Sequence, residues 1–581
     1  MFQKIKFSLL VCSGLIISSV YALTSAYSAE VFYLGAGARQ SGSLKENPSY
    51  SFDRRVKDLF DFSSKRKSDA NRSGKISGTI LQEIDWNEVS GAKTKSFLRN
   101  GTDYLTELHL NMTEKLPKDY NFEGQWFIRK TDNPRIEPRV DVRLKDVNLK
   151  AYNPENLAEF GDFYGEFSQF VLGASLEGLN TEFSPSSKEK YKFLAGRTGQ
   201  ADEAASLFQR DVAGIKADRY FFDNSDIFSN FRVGAQAVTV NDDSASLERT
   251  SSTKELHNTV GGIDGEIVFR KTFSFIYEFA RSTYMEDKEA SSHYQNASAL
   301  RLQPQVNLGK VNLRYLYYFV QPKFASAVGS AAPDKIQHQS TADIRINRKT
   351  LLSLTENYYW NHLTGSTLTK RTTNDEKYIT LNLRPFDSRQ SFMFRTYANY
   401  QNRTSDDTGH SASGTTRTIG FALNDLLDKN TTGGISYEYR GFTDSATRST
   451  SDYFNRAGFN IARDQKFFNR RLYCSLDPSV DLRSTKTSSK KDVNINVGVT
   501  AQYDMSQRLI MRLGNNLTDV NSSKSRADYL NNRSYLEFNH LINKDRAARF
   551  IVRVERNRFC HEDGGQTFNE QRVIGKFIAS F

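Results

Sequence analysis

From about Lys75 to Phe581 the chain is written in period two: apolar and polar residues alternate in segment after segment, separated by stretches rich in Ser, Thr, Asn and Asp. The clearest segment is Val493–Tyr503. There Val493, Ile495, Val497, Val499, Ala501 and Tyr503 fall on one side, and Asn494, Asn496, Gly498, Thr500 and Gln502 on the other. Successive strand side chains point to opposite faces, so strict alternation specifies extended segments with one apolar and one polar face. Phe273–Phe279, Ile435–Gly441, the stripe Val311, Leu313, Tyr315, Tyr317, Phe319, and the trio Phe550, Val552, Val554 repeat the pattern. No fixed period of about 20–50 residues runs through the chain, which argues against a solenoid.

Beyond the first few dozen residues no apolar run approaches the roughly 18–20 residues that a spanning helix needs. With 38% hydrophobic residues and a mean hydropathy of −0.59, a helical membrane protein is excluded there. The 41 Phe and 28 Tyr, against only 11 Pro, favour half-buried pleated strands and membrane–water boundaries.

Alternation alone fits either a soluble sandwich, apolar face inward, or a membrane barrel, apolar face toward lipid. Three features favour the barrel. Aromatic residues gather toward segment ends, as at Tyr397–Tyr400 and Tyr358–Trp360, where interfacial girdles would lie. Many segments reach the roughly 9–11 residues of a tilted membrane strand, longer than the ~5–6 usual in soluble sheets. Finally, Val573, Gly575, Phe577, Ala579 and Phe581 alternate with Ile574, Lys576, Ile578 and Ser580 at the C-terminus.

That terminal stripe, with Val573, Phe577 and Phe581 as its marked positions, resembles the C-terminal targeting signal of bacterial outer-membrane β-barrels. The resemblance covers about nine residues and names no particular family. It implies an all-β, large antiparallel transmembrane barrel, whose even closure and segment count predict about 22–26 strands. It further implies recognition by the barrel assembly machinery, and outer-membrane lipid and lipopolysaccharide as surroundings.

The N-terminus supports export. Lys4 and Lys6 precede an apolar Phe7–Val20, and small residues cluster over Ala22–Ala29, so residues 1–29 read as a signal peptide for Sec-type export through the periplasm of a Gram-negative cell. Bulky Val11 before Cys12, and the apolar core continuing past it, argue against a lipoprotein. Residues 30–74 read as a periplasmic tail or short plug, with a short helix around Arg54–Ser63 and a basic run Lys65–Arg72; residues 75–581 form the barrel. Cys474 and Cys560 are too few for a disulfide framework in so long a chain. Candidate loop tips are Asn241–Glu255, Met285–Ser292, Thr364–Glu376, Arg403–Thr415 and Thr443–Ser451. The block Gly161–Ser168 departs from the pattern and reads as a turn with an inward-bent strand in preference to a plug.

Chemistry-bearing motifs are thin. The eight histidines show no metal-ligand spacing, and there is no nucleophile elbow or haem-attachment motif, so neither an enzyme nor a cofactor or metal is expected. Charge says more. The net charge is +12, and Arg232, Arg314, Arg395, Arg440, Arg508, Arg512 and Arg553, with Arg463 and Arg549, fall on polar faces. Lining a lumen, such residues favour anion passage; pairing with cross-strand acids such as Glu278, Glu438 and Glu555 is the competing role. Their dispersal around a barrel does not suggest nucleic-acid binding. A TonB-dependent receptor would need a folded plug of well over about a hundred residues, longer than this tail. The expectation is a porin-like channel for hydrophilic solutes, anions included. The alternative is a conduit or sheath housing an export component, a polysaccharide or an electron-transfer partner, with a lumenal or periplasmic protein bound.

Overall fold

The computed structural model describes residues 74–581 apart from 118, 138–141, 199–207, 222–226, 247–253, 287–293, 369, 407–411, 445–450, 486–490, 523–527, 543–546 and 563–564. The signal peptide, tail and short helix expected from the sequence fall outside the described residues. The described chain is a single 26-stranded sheet. In order come β1 (Gly74–Gly91), β2 (Gly101–Lys115), β3 (Asn121–Thr131), β4 (Arg143–Tyr152), β5 (Asn156–Glu166), β6 (Gly173–Ser186), β7 (Glu189–Arg197), β8 (Arg210–Tyr220) and β9 (Phe228–Asp242). There follow β10 (His257–Phe269), β11 (Phe273–Met285), β12 (Gln295–Asn307), β13 (Val311–Val320), β14 (Lys335–Asn347), β15 (Thr350–Trp360), β16 (Arg371–Leu383), β17 (Met393–Asp406) and β18 (Ala412–Asp428). The last are β19 (Thr431–Asp444), β20 (Ser451–Phe467), β21 (Arg470–Thr485), β22 (Lys491–Asp504), β23 (Leu509–Asn521), β24 (Tyr529–Leu541), β25 (Ala548–His561) and β26 (Phe568–Ser580).

Every strand pairs antiparallel with the next, and β26 pairs with β1, so the sheet has no edge. Backbone N–H and C=O groups are thereby satisfied without water, as a lipid-facing wall demands. The seam ends with Phe581 N–H donating to Gly78 O (3.0 Å) and Gly78 N–H donating to Phe581 O (2.9 Å). Stepping from partner to partner once around returns to β1 about 28 residues further along, which tilts the strands by roughly 37° and gives a backbone diameter of roughly 50 Å.

The two ends differ. Connections from even to odd strands are short, several of two residues, such as Ser187–Lys188, Arg348–Lys349, Lys429–Asn430 and Phe468–Asn469. Phe468 and Asn469 both take positive φ (48° and 58°), the primed-turn geometry that follows strand twist. This is the turn end, where β1 begins and β26 finishes. The opposite end carries the longer loops. Of the expected loop tips, Thr364–Glu376 and Arg403–Thr415 overreach, since residues 371–376 open β16, β17 runs to Asp406 and β18 starts at Ala412. These polar stretches extend the ladder because water, not lipid, surrounds strand ends.

Paired residues share a face, so register carries inside and outside around the barrel. Val573, Phe577 and Phe581 face outward with Trp86 and Ile84, both exposed, while Ile574 and Ile578 face the lumen and are buried. Tyr358, Trp360 and Tyr400 also face outward. Tyr359 and Tyr397 do not: Tyr397 points into the lumen and its hydroxyl donates to Glu438 (2.5 Å), because strand residues an odd number of positions apart lie on opposite faces. Cys474 and Cys560 sit in separate strands, β21 and β25, with no disulfide between them. No helix among the described residues is long and apolar enough to cross a membrane.

Deleting Phe581 removes both terminal seam bonds, each contributing about 1 kcal/mol. We expect a lower yield of folded, heat-modifiable protein on electrophoresis; an unchanged yield would show that the seam closes without it.

Candidate functional site

The lumen is the one place where side chains from all the strands converge. Two loops from the long-loop end fold into it, Phe167–Leu172 between β5 and β6, and Gln321–Asp334 between β13 and β14. Phe170, Val171 and Leu172 are fully buried and pack with Phe324 and Val328 against the inner faces of β6 to β13 through Leu194, Val212, Val238, Val260 and Tyr318. The Phe170 ring lies 5.3 Å from Tyr318 and 6.0 Å from Phe324. The wall makes room for this insert with glycine: a Cβ on Gly214 would come within 2.9 Å of the Phe167 ring.

Buried backbone groups of the loops are satisfied by the wall, as burial requires. Phe170 N–H donates to Glu278 (2.7 Å) and Lys216 donates to Phe167 O (2.9 Å), while Gln236 donates to the Ser168 side-chain hydroxyl (2.5 Å). Asn258 donates to Ala325 O (3.0 Å) and accepts from Ala327 N–H (2.9 Å). The loops hold each other through Gly173 N–H to Val328 O (2.8 Å) and Ser330 N–H to Gln169 O (2.9 Å). Beneath them Lys216 and Arg232 bridge Asp264 at 2.9 and 2.7 Å, and Arg232 also meets Asp218 at 2.5 Å. The Gly161–Ser168 block thus ends as a turn, but one tucked into the lumen.

Across the lumen, on β20 to β26 and β1, the wall is a ladder of ion pairs. Arg456 binds Asp481 (2.6 Å), Arg512 binds Glu537 (3.0 Å), Arg533 binds Glu555 (3.3 Å), and Lys576 binds Glu83 (2.8 Å). Arg553 bridges Glu555 (2.5 Å) and Glu537 (3.6 Å) and covers the Tyr535 ring at 4.1 Å. Arg572 holds Asp85 through Nε at 2.7 Å.

These pairs are oriented. The Arg456, Arg512 and Arg533 side chains are 54%, 41% and 35% exposed, whereas their carboxylate partners Asp481, Glu537 and Glu555 are 8%, 11% and 7% exposed. On the outer face the asymmetry vanishes: Lys377 and Glu356 are 52% and 54% exposed. An Arg stem outreaches an Asp or Glu rooted on the same wall, so the guanidinium lies toward water and covers the acid.

Of the basic residues expected in the lumen, Arg232, Arg314, Arg395, Arg440, Arg512 and Arg553 occupy its wall. Arg314 pairs with Asp343 (3.0 Å), Arg440 with Glu438 (2.8 Å), and Arg395 donates to the Tyr378 hydroxyl (3.2 Å). Arg508 does not line the wall; it is exposed in the turn between β22 and β23. Arg463 pairs with Thr431 and so shares the outer face with Ile435, contrary to its assignment to the polar face. Lys216, Asp264 and the loop Gln321–Asp334 escaped that reading; the loop's Ala-rich, charge-poor composition was the available signal. Among the described residues no group of His, Cys, Asp and Glu could hold a metal.

No protein-family model and no curated protein matches the chain. Solved structures similar to it include the P pilus usher PapC translocation pore (9% identity, 87% of this chain and 99% of that one, TM-score 0.35). The siderophore receptor PirA of Pseudomonas aeruginosa (10%, 87% and 80%, 0.38) and OpdQ of the same organism (8%, 87% and 98%, 0.27) are likewise similar. At those scores the fold rests on the register itself, which defines a closed antiparallel barrel of the outer-membrane type.

Phe170→Ala should cost about 3–5 kcal/mol of local packing. We expect faster hydrogen exchange or proteolysis within 321–334 while the barrel keeps its heat-modifiable migration; unchanged protection would mean Phe170 does not hold the insert.

Proposed function

We propose that the protein is an outer-membrane channel for hydrophilic solutes that favours anions. The oriented ion pairs carry this reading. Each Arg is neutralised overall, yet the charge nearest the passing solute is the guanidinium, and potential in a pore is set by the nearest charges. The passage runs between the loop insert on β6 to β13 and the ladder on β20 to β26. Outside, the apolar stripes meet lipid and lipopolysaccharide, and β26 offers Val573, Phe577 and Phe581 to the assembly machinery after Sec-type export.

One observation favours a second reading. A backbone diameter of roughly 50 Å exceeds what small solutes require, since porins of about 16–18 strands already conduct. A conduit that houses a lumenal or periplasmic partner would use the extra width.

Planar-bilayer recording of the purified protein separates them. We expect steady open-channel current, and a several-fold drop in the anion-to-cation permeability ratio when Arg456, Arg512 and Arg533 are all changed to Gln. Unchanged selectivity would refute the anion reading. Closure relieved only by deleting residues 30–73 or removing a bound partner would favour the conduit, and extraction without detergent would eliminate a membrane channel altogether.

A further inference from the structure

The turn end of the barrel is basic along one arc. The turns after β10, β12 and β14 carry Arg270 and Lys271, Lys310, and Arg348 and Lys349. Those after β16, β18 and β22 carry Arg384 and Arg389, Lys429, and Arg508, and Lys466 and Arg470 flank the turn after β20. All but the half-buried Lys349 are exposed. Lys349 meets Asp387 (2.7 Å) and Arg389 meets Asp425 (2.5 Å). For Arg270, Lys271, Lys310, Arg348, Arg384, Lys429 and Arg508 no carboxylate lies within ion-pair distance among the described residues. The described charged residues on the rest of the rim are of mixed sign: the turns after β2, β4 and β6 present Asp119, Glu155 and Lys188.

We propose that this arc, from β10 to β23, is the docking surface for an acidic protein that sits at the turn-end mouth of the barrel. Fourteen adjacent strands span roughly 80 Å of rim, the scale of a folded domain and far beyond a small anion. Lipid surrounds a barrel evenly, so headgroup contact would select a ring of cations, whereas an object on one side selects an arc. The chain's own residues 30–73 suit the surface poorly, because their nine Lys and Arg outnumber their six Asp and Glu. Turn-tip cations without partners cost little when free and gain Coulomb energy, on-rate and salt sensitivity when an acidic face approaches. The site is separate from the lumenal ladder that sets ion preference.

The test uses the full chain in nanodiscs of neutral phosphatidylcholine, with poly-L-glutamate as the acidic probe. We expect binding that weakens about tenfold or more both in high salt and when Arg270, Arg348, Arg384 and Lys429 are all changed to Glu. The lumenal variant with Arg456, Arg512 and Arg533 changed to Gln should bind as tightly as the parent, so loss of the channel reading leaves this result standing. Equal binding by the rim variant, loss of binding in the lumenal variant instead, or abolition of binding by adding phosphatidylglycerol to the nanodisc would each overturn the proposal.

Discussion

Closure of the backbone ladder is the constraint on which everything else rests. A wall facing hydrocarbon must pair its own N–H and C=O groups, and only a sheet joined to itself leaves none over. Here the join is the β1–β26 register, finished by the reciprocal bonds between Gly78 and Phe581. The shear fixed by that register sets tilt and width together, so the same hydrogen bonds that let the chain face lipid also determine how much room remains inside.

Closure turns the apolar pattern inside out and leaves the polar face to organise itself around water. Two solutions appear on opposite sides. From β6 to β13 the wall is covered by loops whose apolar cluster buries Phe170, Val171 and Leu172 over the Lys216–Asp264–Arg232 brace. From β20 to β26 it is covered by its own side chains, with guanidinium groups lying over carboxylates. The first solution fills part of the lumen; the second sets guanidinium groups over carboxylates along its wall. In both, the charged groups that are buried lie against a partner of opposite sign or a hydrogen-bonding group.

Much of this was legible in the sequence, and the misses have physical reasons. The stripe Val573–Phe581 was read with the correct face, since period two holds wherever one face is wholly lipid and the other wholly polar. Clustered aromatics misled, because Tyr397 and Tyr400, an odd number of positions apart, share composition but not orientation. Arg508 and Arg463 were placed in the lumen because strand ends and parity near turns leave no periodic trace. The infolded loops were invisible for another reason: their partners lie on strands remote in sequence, as with Phe170 and Glu278. Alternation also reports which face a residue occupies, not its depth, so the layering of Arg512 over Glu537 could emerge only from the packed wall.

The layering of cation over anion is the central claim. Its most direct test is the reversal potential of the unmodified protein in a planar bilayer under an asymmetric KCl gradient. The account predicts a potential of the sign set by chloride, shrinking as salt screens the lumenal guanidinium groups. A potential of the opposite sign, or none at low salt, would contradict it.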